Sequence, residues 1–420
     1  MANIHIKFAL RHLIRNIIYE IFVNDMITKE KIRICAENIT KSINIQKEGE
    51  LILIKGGFYT HELLEEIGLE VLRKGGIPHI TSISDYFDQS MFTDKGIKVE
   101  TLQKTPLHYL EMIKKVDAYI VVEPLENPSI RNKLSKDKLE AYERSIAPIR
   151  EVLYGFKEEF APGKKWCYAA WPSKKAADFY KVDYNLFEKF IVDGMSIPSE
   201  KLSNITKNLG SYFENAKKVY VNDEFGTDFW VLIENRIGIL DDGIISEEQI
   251  ALGDLGGNLP AGEVFFAPEE LKGEGKIFCP LTKERYSHTI IENTELVFKN
   301  GKLLMSEISA DTNLDVLIEA FKQSEKIDKI NKIPEIRTYN VAELGIGCNP
   351  VITEAIGYIL TDEKINGSIH VAFGFNKSFG GTSASQMHWD FVTAPKANIT
   401  VEYIDGSRKN IMENGKLVSN

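Results

Sequence analysis

Residues 368–392, SIHVAFGFNKSFGGTSASQMHWDFV, contain two strand-like segments, a glycine-rich connection and three side chains that commonly bind metal ions. In the first segment apolar residues alternate with polar or small ones, which places His370 on the face opposite to the apolar side chains. In the second segment His388 and Asp390 are two positions apart, so that on a strand both point to one face while Trp389 points to the other. The stretch therefore predicts two strands that present imidazole and carboxylate ligands on a face of their own.

Two acidic residues upstream fit the same chemistry. Glu263 follows a segment rich in glycine and proline, and Glu343 lies among apolar residues just before a glycine-rich turn. Taken singly, such an acid is most often solvated in a loop, and a strand histidine is most often hydrogen-bonded in the ordinary way. A buried carboxylate needs a partner, however, and a metal ion is an effective one. Together with His370, His388 and Asp390 they provide three carboxylates and two imidazoles, a set that suits two divalent ions with a shared carboxylate.

The composition excludes several classes of partner. The chain has 420 residues, of which 43% are hydrophobic and 27% charged, an ordinary globular composition. A net charge of −10 without a basic block argues against a nucleic-acid partner. The four cysteines lack paired spacing, which is typical of a reducing compartment: they are Cys35, Cys167, Cys279 and Cys348.

The amino-terminal run at residues 4–23, IHIKFALRHLIRNIIYEIFV, is apolar enough to be compared with a signal sequence. Lys7, Arg11 and Arg15 interrupt it, and no small-residue cleavage site follows. It predicts an amphipathic helix, and no other segment approaches the length of a membrane span. We therefore expect a cytoplasmic protein that does not associate with membranes.

The first half of the chain alternates helical and strand patterns. A helix is predicted at 30–46, and the apolar run LILIKGG at 51–57 predicts the first strand. Further helices are predicted at 60–75, around 134–156, at 177–194 and at 199–216, with strands at 77–84, 116–124 and 164–172. This order predicts an open α/β domain with a largely parallel sheet. Neither GxGxxG nor a P-loop follows the first strand, so no nucleotide cofactor is predicted.

The pattern changes near residue 216. Beyond it, alternating strands are separated by turns, such as Asp241-Asp242-Gly243 and Asn300-Gly301, with one helix predicted at 311–326. We predict an α/β domain at 1–216 and an α+β domain at 217–420, the second of which carries the metal site.

Four longer motifs, NLPAGEVFFAP, AELGIGCNP, HVAFG and HWD, occur in this order in the second half. They resemble the aminopeptidase T family of dinuclear metallo-aminopeptidases, and a weaker resemblance extends over most of the chain from about residue 30. The resemblance implies metal ligands at Glu263, Glu343, His370, His388 and Asp390 and two divalent ions, for which Zn, Co, Mn and Mg all tolerate such ligands. It implies release of amino-terminal residues from short peptides. Our hypothesis for the mechanism is attack by a water shared between the ions, with Glu343 also moving the proton. It further implies a homodimer.

One position departs from the family. The family has a tyrosine seven residues after the first histidine, near the metals, whereas this chain has Lys377. A lysine can stabilise an oxyanion as a point charge but cannot serve as an anionic oxygen ligand, so Lys377 is a second catalytic candidate beside Glu343.

Two alternatives follow from this departure. One is a homologue that binds metal or peptide with weakened or no catalysis. The other is a mononuclear iron dioxygenase of the related type that cleaves dihydroxypyridine rings, which is similar in sequence and shares the His-x-Asp motif. That enzyme has a histidine near the place of Glu343, so Glu343 together with Glu263 favours the two-metal peptidase.

Overall fold

The computed structural model describes residues 27–155, 163–251, 253–284, 287 and 289–418. The helix predicted at 4–23 lies outside the described residues. In chain order the strands are β1 (Leu51–Gly57), β2 (Ile77–Ile83), β3 (Ala118–Val122), β4 (Lys165–Ala169), β5 (Ala216–Asn222), β6 (Asp228–Leu232), β7 (Ile239–Asp241), β8 (Gly256–Leu259), β9 (Glu263–Phe266), β10 (Glu274–Lys283), β11 (Ile290–Lys299), β12 (Lys302–Leu303), β13 (Val341–Gly347), β14 (Ile369–Gly374), β15 (His388–Val392), β16 (Asn398–Tyr403), β17 (Arg408–Glu413) and β18 (Lys416–Leu417).

The helices alternate with the strands in the first half and are sparse in the second. In chain order they are α1 (Lys29–Lys41), α2 (His61–Arg73), α3 (Asp85–Thr93), α4 (Val99–Leu102), α5 (Leu107–Lys115), α6 (Lys136–Tyr154), α7 (Lys174–Tyr180), α8 (Tyr184–Glu188), α9 (Ser199–Ser211), α10 (Glu247–Ala251), α11 (Leu314–Ile330) and α12 (Ile359–Asp362). A π-helical turn at Lys189–Asp193 and 3-10 turns at Phe58–Thr60, Pro128–Lys133 and Lys377–Phe379 complete the described helical segments. None of the helices in the described part of the chain combines the length and the apolar composition that crossing a membrane requires.

The first sheet has the strand order β2-β1-β3-β4-β8, and its neighbouring strands are parallel. Helix α2 shows why the chain folds this way: Leu63, Leu64, Ile67 and Val71 recur at helical spacing and are buried against the sheet. The helix ends just before Gly75, whose φ of +82° suits glycine. The predicted α/β fold class with a parallel sheet is confirmed.

Strand β8 was not predicted, because GGNL lacks alternation and was interpreted as part of a loop. It pairs with β4, where Gly256 lies beside Trp166 so closely that a Cβ atom would come within 2.1 Å of the Trp166 carbonyl oxygen. The chain thus returns to the parallel sheet well beyond residue 216, and the boundary between 216 and 217 stays a prediction.

Two sheets follow in the second half. The larger has the order β12-β11-β10-β6-β5-β16-β17-β18, and the smaller has the order β15-β14-β13-β9-β7 with antiparallel neighbours. One face of the smaller sheet lies in an apolar core, where the ring of Phe321 from α11 stacks on Trp389 at 5.8 Å. The opposite face is free to carry polar side chains, and the candidate ligands lie there.

Candidate metal centre

All five predicted ligands extend from one face of the smaller sheet. Residues directly opposite each other on neighbouring strands point to the same face. Glu343 on β13 is paired with Ala372 on β14, which is paired in turn with Asp390 on β15. Each of the other ligands is paired with a glycine: His370 with Gly345, His388 with Gly374, and Glu263 with Gly347. The structure therefore brings the five side chains together, and small residues leave the space between them open.

A β-bulge in β13 directs Glu343 to this face. Val341 is paired with Phe373 and both are buried in the apolar core, whereas Glu343 is paired with Ala372 on the other face. In a regular strand residues 341 and 343 would point the same way. Ala342 is the extra residue, and such bulges occur often beside functional sites because they change the direction of a side chain.

The ligand atoms form two groups that share Glu343. In site A, His370 Nε2 lies 3.3 Å from Glu263 Oε2 and 3.1 Å from Glu343 Oε1. In site B, His388 Nε2 lies 3.4 Å from both Glu343 Oε2 and Asp390 Oδ2. Atoms bound to one zinc ion at about 2.1 Å in tetrahedral directions are roughly 3.4 Å apart, so both groups have the spacing that an ion needs.

The orientation of His388 fixes which of its nitrogens is available. Its Nδ1 lies 2.8 Å from the backbone oxygen of Phe375. A carbonyl oxygen can only accept a hydrogen bond, so Nδ1 carries the proton and donates it. The neutral ring then has a lone pair on Nε2, directed into site B, which is the arrangement usual for metal-binding histidines.

Two carboxylate oxygens of the cluster are buried without a hydrogen-bond partner among the described residues. They are Glu263 Oε2 in site A and Asp390 Oδ1 in site B. A buried anionic oxygen without a donor is costly, and a cation would compensate it. Together with the donor types and their spacing, these atoms show that the cluster fits a divalent ion at each site.

The electrostatics of the cluster favour positive charge. Burial alone would lower the pKa of His388, but Asp390 and then Glu343 raise it to about 10. Burial likewise opposes protonation of His370, yet its hydrogen bond with Glu343 and the Glu263 carboxylate raise its pKa to about 9. Conversely, burial would raise the pKa of Asp390, but the neighbouring imidazoles hold it well below its usual range. Without metal, protons on the imidazoles thus supply the charge that ions would otherwise bring.

Sequence reasoning missed three charged residues at the edge of site A. Lys364 is 1% exposed, and its Nζ lies 2.5 Å from Glu263 Oε1, 3.3 Å from Glu363 Oε2 and 3.5 Å from Asp241 Oδ2. Burial would lower the pKa of Lys364, but these carboxylates raise it well above its usual value. Burial raises the pKa of Asp241 to about 7 and that of Glu363 to about 8.

A partial signal for these residues is present in the sequence. Asp241 had been interpreted as part of a turn, but it is the last residue of β7 and is paired with Glu263. The charged run at 361–364, TDEK, stands four residues before the strand of His370. Its position marks it as a neighbour of the site, but nothing local indicates that its lysine is buried.

Lys377 lies in the 3-10 turn at Lys377–Phe379 and is exposed. Its backbone N–H donates to the Ser383 carbonyl oxygen, and its side chain has no hydrogen bond or ion pair within the described part of the chain. The structure therefore does not bring Lys377 into contact with the five ligands, and its catalytic role stays a prediction. The ammonium group that contacts a predicted ligand belongs to Lys364 instead.

The 3-10 turn at Lys377–Phe379 also lies beside site B. The ring of Phe379 packs edge-on against His388, with 5.9 Å between ring centres, and against Phe265 at 5.5 Å. The His388 side chain is 29% exposed, whereas the other four predicted ligands are buried. A substrate would therefore approach site B along His388 and Phe379.

The sequence profile of the family described as thermophilic metalloprotease (M29) matches residues 28–417. The chain belongs to this family. The match includes all five predicted ligands, and the family assignment makes this metalloprotease a metal-dependent hydrolase of peptide bonds. None of the curated proteins matches the chain.

Two solved structures are similar to this M29 protein over nearly its whole length. AmpT from Thermus thermophilus has a TM-score of 0.68 at 17% identity, with 93% of this chain and 100% of AmpT covered. The 2,5-dihydroxypyridine dioxygenase from Pseudomonas putida KT2440 has a TM-score of 0.53 at 13% identity, with 94% of this chain and 99% of that chain covered. At such identities the likeness shows the shared α/β fold.

Proposed function

We propose that this M29 protein is an aminopeptidase that uses two divalent ions, drawn from Zn, Co, Mn and Mg, to release amino-terminal residues from short peptides. The observation that carries the proposal is the position of Glu343, whose two oxygens each lie beside the imidazole of a different three-residue group. A carboxylate shared in this way is the expected bridge of a two-metal hydrolytic site.

The arrangement of the donors supports two ions rather than one. The five predicted ligands form two groups of three that share Glu343. Each group contains a buried carboxylate oxygen without a hydrogen-bond partner among the described residues, Glu263 Oε2 in site A and Asp390 Oδ1 in site B. A single iron, as in the dioxygenase alternative, would leave one of these oxygens without a cation, which burial disfavours.

The predicted ligands would bind the two ions and transfer a proton. Glu263, Glu343 and His370 would hold one ion, and Glu343, His388 and Asp390 would hold the other. Divalent ions in these positions would polarise the scissile carbonyl and lower the pKa of a water molecule towards neutrality. Glu343 lies between the two imidazoles, and we assign to it the transfer of the proton from the attacking water to the leaving amine. Glu343 is itself buried, which limits the access of other water to that transfer.

A homodimer is part of the proposal. Strand β2 is an edge of the parallel sheet and exposes Ile77 and Ile80, and the adjoining α3 exposes Tyr86 and Phe87. An exposed apolar edge of this kind is a common site of association. Light scattering on the wild type and on the Ile80→Lys variant would test it: we expect a dimer that the lysine weakens, and a monomeric wild type would contradict it.

The activity is tested with metal-stripped protein that is reconstituted with Zn²⁺, Co²⁺ or Mn²⁺ and assayed on aminoacyl anilides and a panel of di- and tripeptides. We expect hydrolysis that chelation abolishes and added metal restores, and no cleavage of the same peptides after amino-terminal acetylation. Hydrolysis that survives exhaustive chelation would contradict the mechanism. One iron per chain with ring-cleaving activity would favour the dioxygenase, and bound metal without any turnover would favour the binding homologue.

A further inference from the structure

Lys364 is a fixed positive charge at one side of the metal centre. Its Nζ lies 2.5 Å from Glu263 Oε1, and its side chain is 1% exposed. Within the described residues, the basic side chains in contact with Glu343 and Asp390 are histidines. The ammonium group is therefore adjacent to site A and not to site B.

The backbone holds Lys364 in this position. Its N–H donates to the Thr361 carbonyl oxygen and its carbonyl oxygen accepts from Asn349 N, both at 3.0 Å. The preceding turn is fixed by Asp362, whose carboxylate accepts from the N–H groups of Ile356 and Gly357. Because the ammonium group is buried and paired with three carboxylates, its charge stays beside Glu263.

The contact also limits what Glu263 can offer. Oε1 is held by the ammonium group, whereas Oε2 is buried without a hydrogen-bond donor and faces His370. Glu263 can thus present one oxygen to an ion, and that ion meets a like charge on the far side of the same carboxylate. Asp390 has no ammonium group in contact with it among the described residues: its Oδ2 faces His388, its Oδ1 is buried without a hydrogen-bond donor, and its carboxylate also has the Glu363 side chain as a neighbour.

We propose that Lys364 makes the two metal sites unequal, so that the ion held by Glu263, Glu343 and His370 binds more weakly and exchanges more readily than the ion held by Glu343, His388 and Asp390. This rests on the proposed two-metal function and adds an order to it: site B fills first, and site A is the exchangeable position. Lys364 is a positioning residue, since it acts through Glu263.

The test is a calorimetric titration of metal-stripped full-length protein with Zn²⁺, combined with metal content after dialysis. We expect two binding steps in the wild type that differ by about tenfold or more, the scale on which groups behind a ligand alter metal affinity. Lys364→Met should strengthen the weaker step by about the same factor, because a like charge is removed, and Lys364→Arg should keep the difference.

Lys165→Met is the matched control. Lys165 forms a largely enclosed ion pair with Glu50 at 2.7 Å. It is the first residue of β4, whereas Glu263 of the metal centre follows the last residue of β8, the parallel neighbour of β4. The two lysine–glutamate pairs therefore lie towards opposite ends of these strands. This variant removes a lysine–glutamate pair without touching the cluster. Its two binding steps should match those of the wild type.

Two ligand variants assign the steps even if Lys364→Met fails to fold. His370→Ala should remove the weaker step and leave the tighter one, and His388→Ala should remove the tighter one. Equal steps in the wild type, loss of the tighter step in His370→Ala, or an unchanged ratio in folded Lys364→Met would each overturn the inference. A wild type that binds fewer than two ions would instead overturn the proposed function on which it rests.

Discussion

Gly345 lies directly beside the imidazole ring of His370 on the neighbouring strand, and a Cβ atom at Gly345 would come within 2.0 Å of His370 Nε2. No real side chain tolerates such a contact. The absence of a side chain at Gly345 therefore makes room for the ring, whose Nε2 is directed towards Glu263 and Glu343.

Gly345→Ala should displace the His370 ring and weaken metal binding at site A. The expected loss is about 10–100-fold in affinity, as for other changes that misorient a ligand. The weaker step of a Zn²⁺ titration reports it, while site B should bind as before. Gly96→Ala, in an exposed turn with Asp94 as its near neighbour, is the control and should bind like the wild type. A Gly345→Ala variant with unaltered titration would show that His370 is not a ligand.

Glu343→Gln should reduce metal content and turnover together, because one residue serves both sites. The amide keeps the shape of the side chain but loses the negative charge and the ability to take up a proton. We expect fewer than two ions per chain and a fall in kcat of about 100-fold or more, the scale for losing a general base. Glu295→Gln, at a half-exposed acid on β11, serves for comparison and should change neither quantity. Two firmly bound ions with normal kcat in Glu343→Gln would contradict the assignment of this residue.

The convergence of the five predicted ligands could be predicted in part from the sequence, because strand alternation determines the face on which a side chain lies. His388 and Asp390 are two residues apart, and this spacing alone places them together. Glu343 could be recognised as an acid among apolar residues, but the bulge that turns it to the face opposite from Val341 depends on pairing with β14.

The rest of the site depends on contacts between distant segments. Lys364 follows a short helix, and a lysine in such a place is ordinarily expected in solvent. It is buried because Asp241, Glu263 and Glu363 surround it, and these come from three separate parts of the chain. Strand β8 is similar, since its glycines form a strand only where Trp166 packs against them.

Removal of metal should destabilise the folded protein. Without ions the buried carboxylates of sites A and B face one another with only imidazolium groups and Lys364 to offset them. Each ion that binds only the folded chain adds about 2.7 kcal/mol to the free energy of unfolding at a free concentration 100 times its Kd. Scanning calorimetry with and without a chelator should therefore show a lower Tm for the stripped protein and recovery on adding Zn²⁺.

A variant that lacks both imidazole ligands provides the control for this stability effect. His370→Ala combined with His388→Ala removes one imidazole from each site, so its Tm should not respond to chelator or to added metal. A wild-type Tm that is equally indifferent would mean that the folded chain does not bind these ions at the cluster. A response that persists in the double variant would place the metal elsewhere.

Lys377→Ala should leave metal affinity and kcat nearly unchanged. The side chain is exposed, and the hydrogen bond that anchors this turn runs from the backbone N–H of Lys377 to Ser383, which alanine retains. Lys396→Ala removes another exposed lysine, which is paired with Glu224. As the control, it should also leave the metal affinity and the kcat for peptides unchanged. A fall in kcat of about 100-fold or more in Lys377→Ala alone would show instead that the lysine reaches the substrate and stabilises an oxyanion. A rise in kcat for Lys377→Tyr would indicate a third outcome, namely that the departure from the family pattern has reduced an activity that the tyrosine restores.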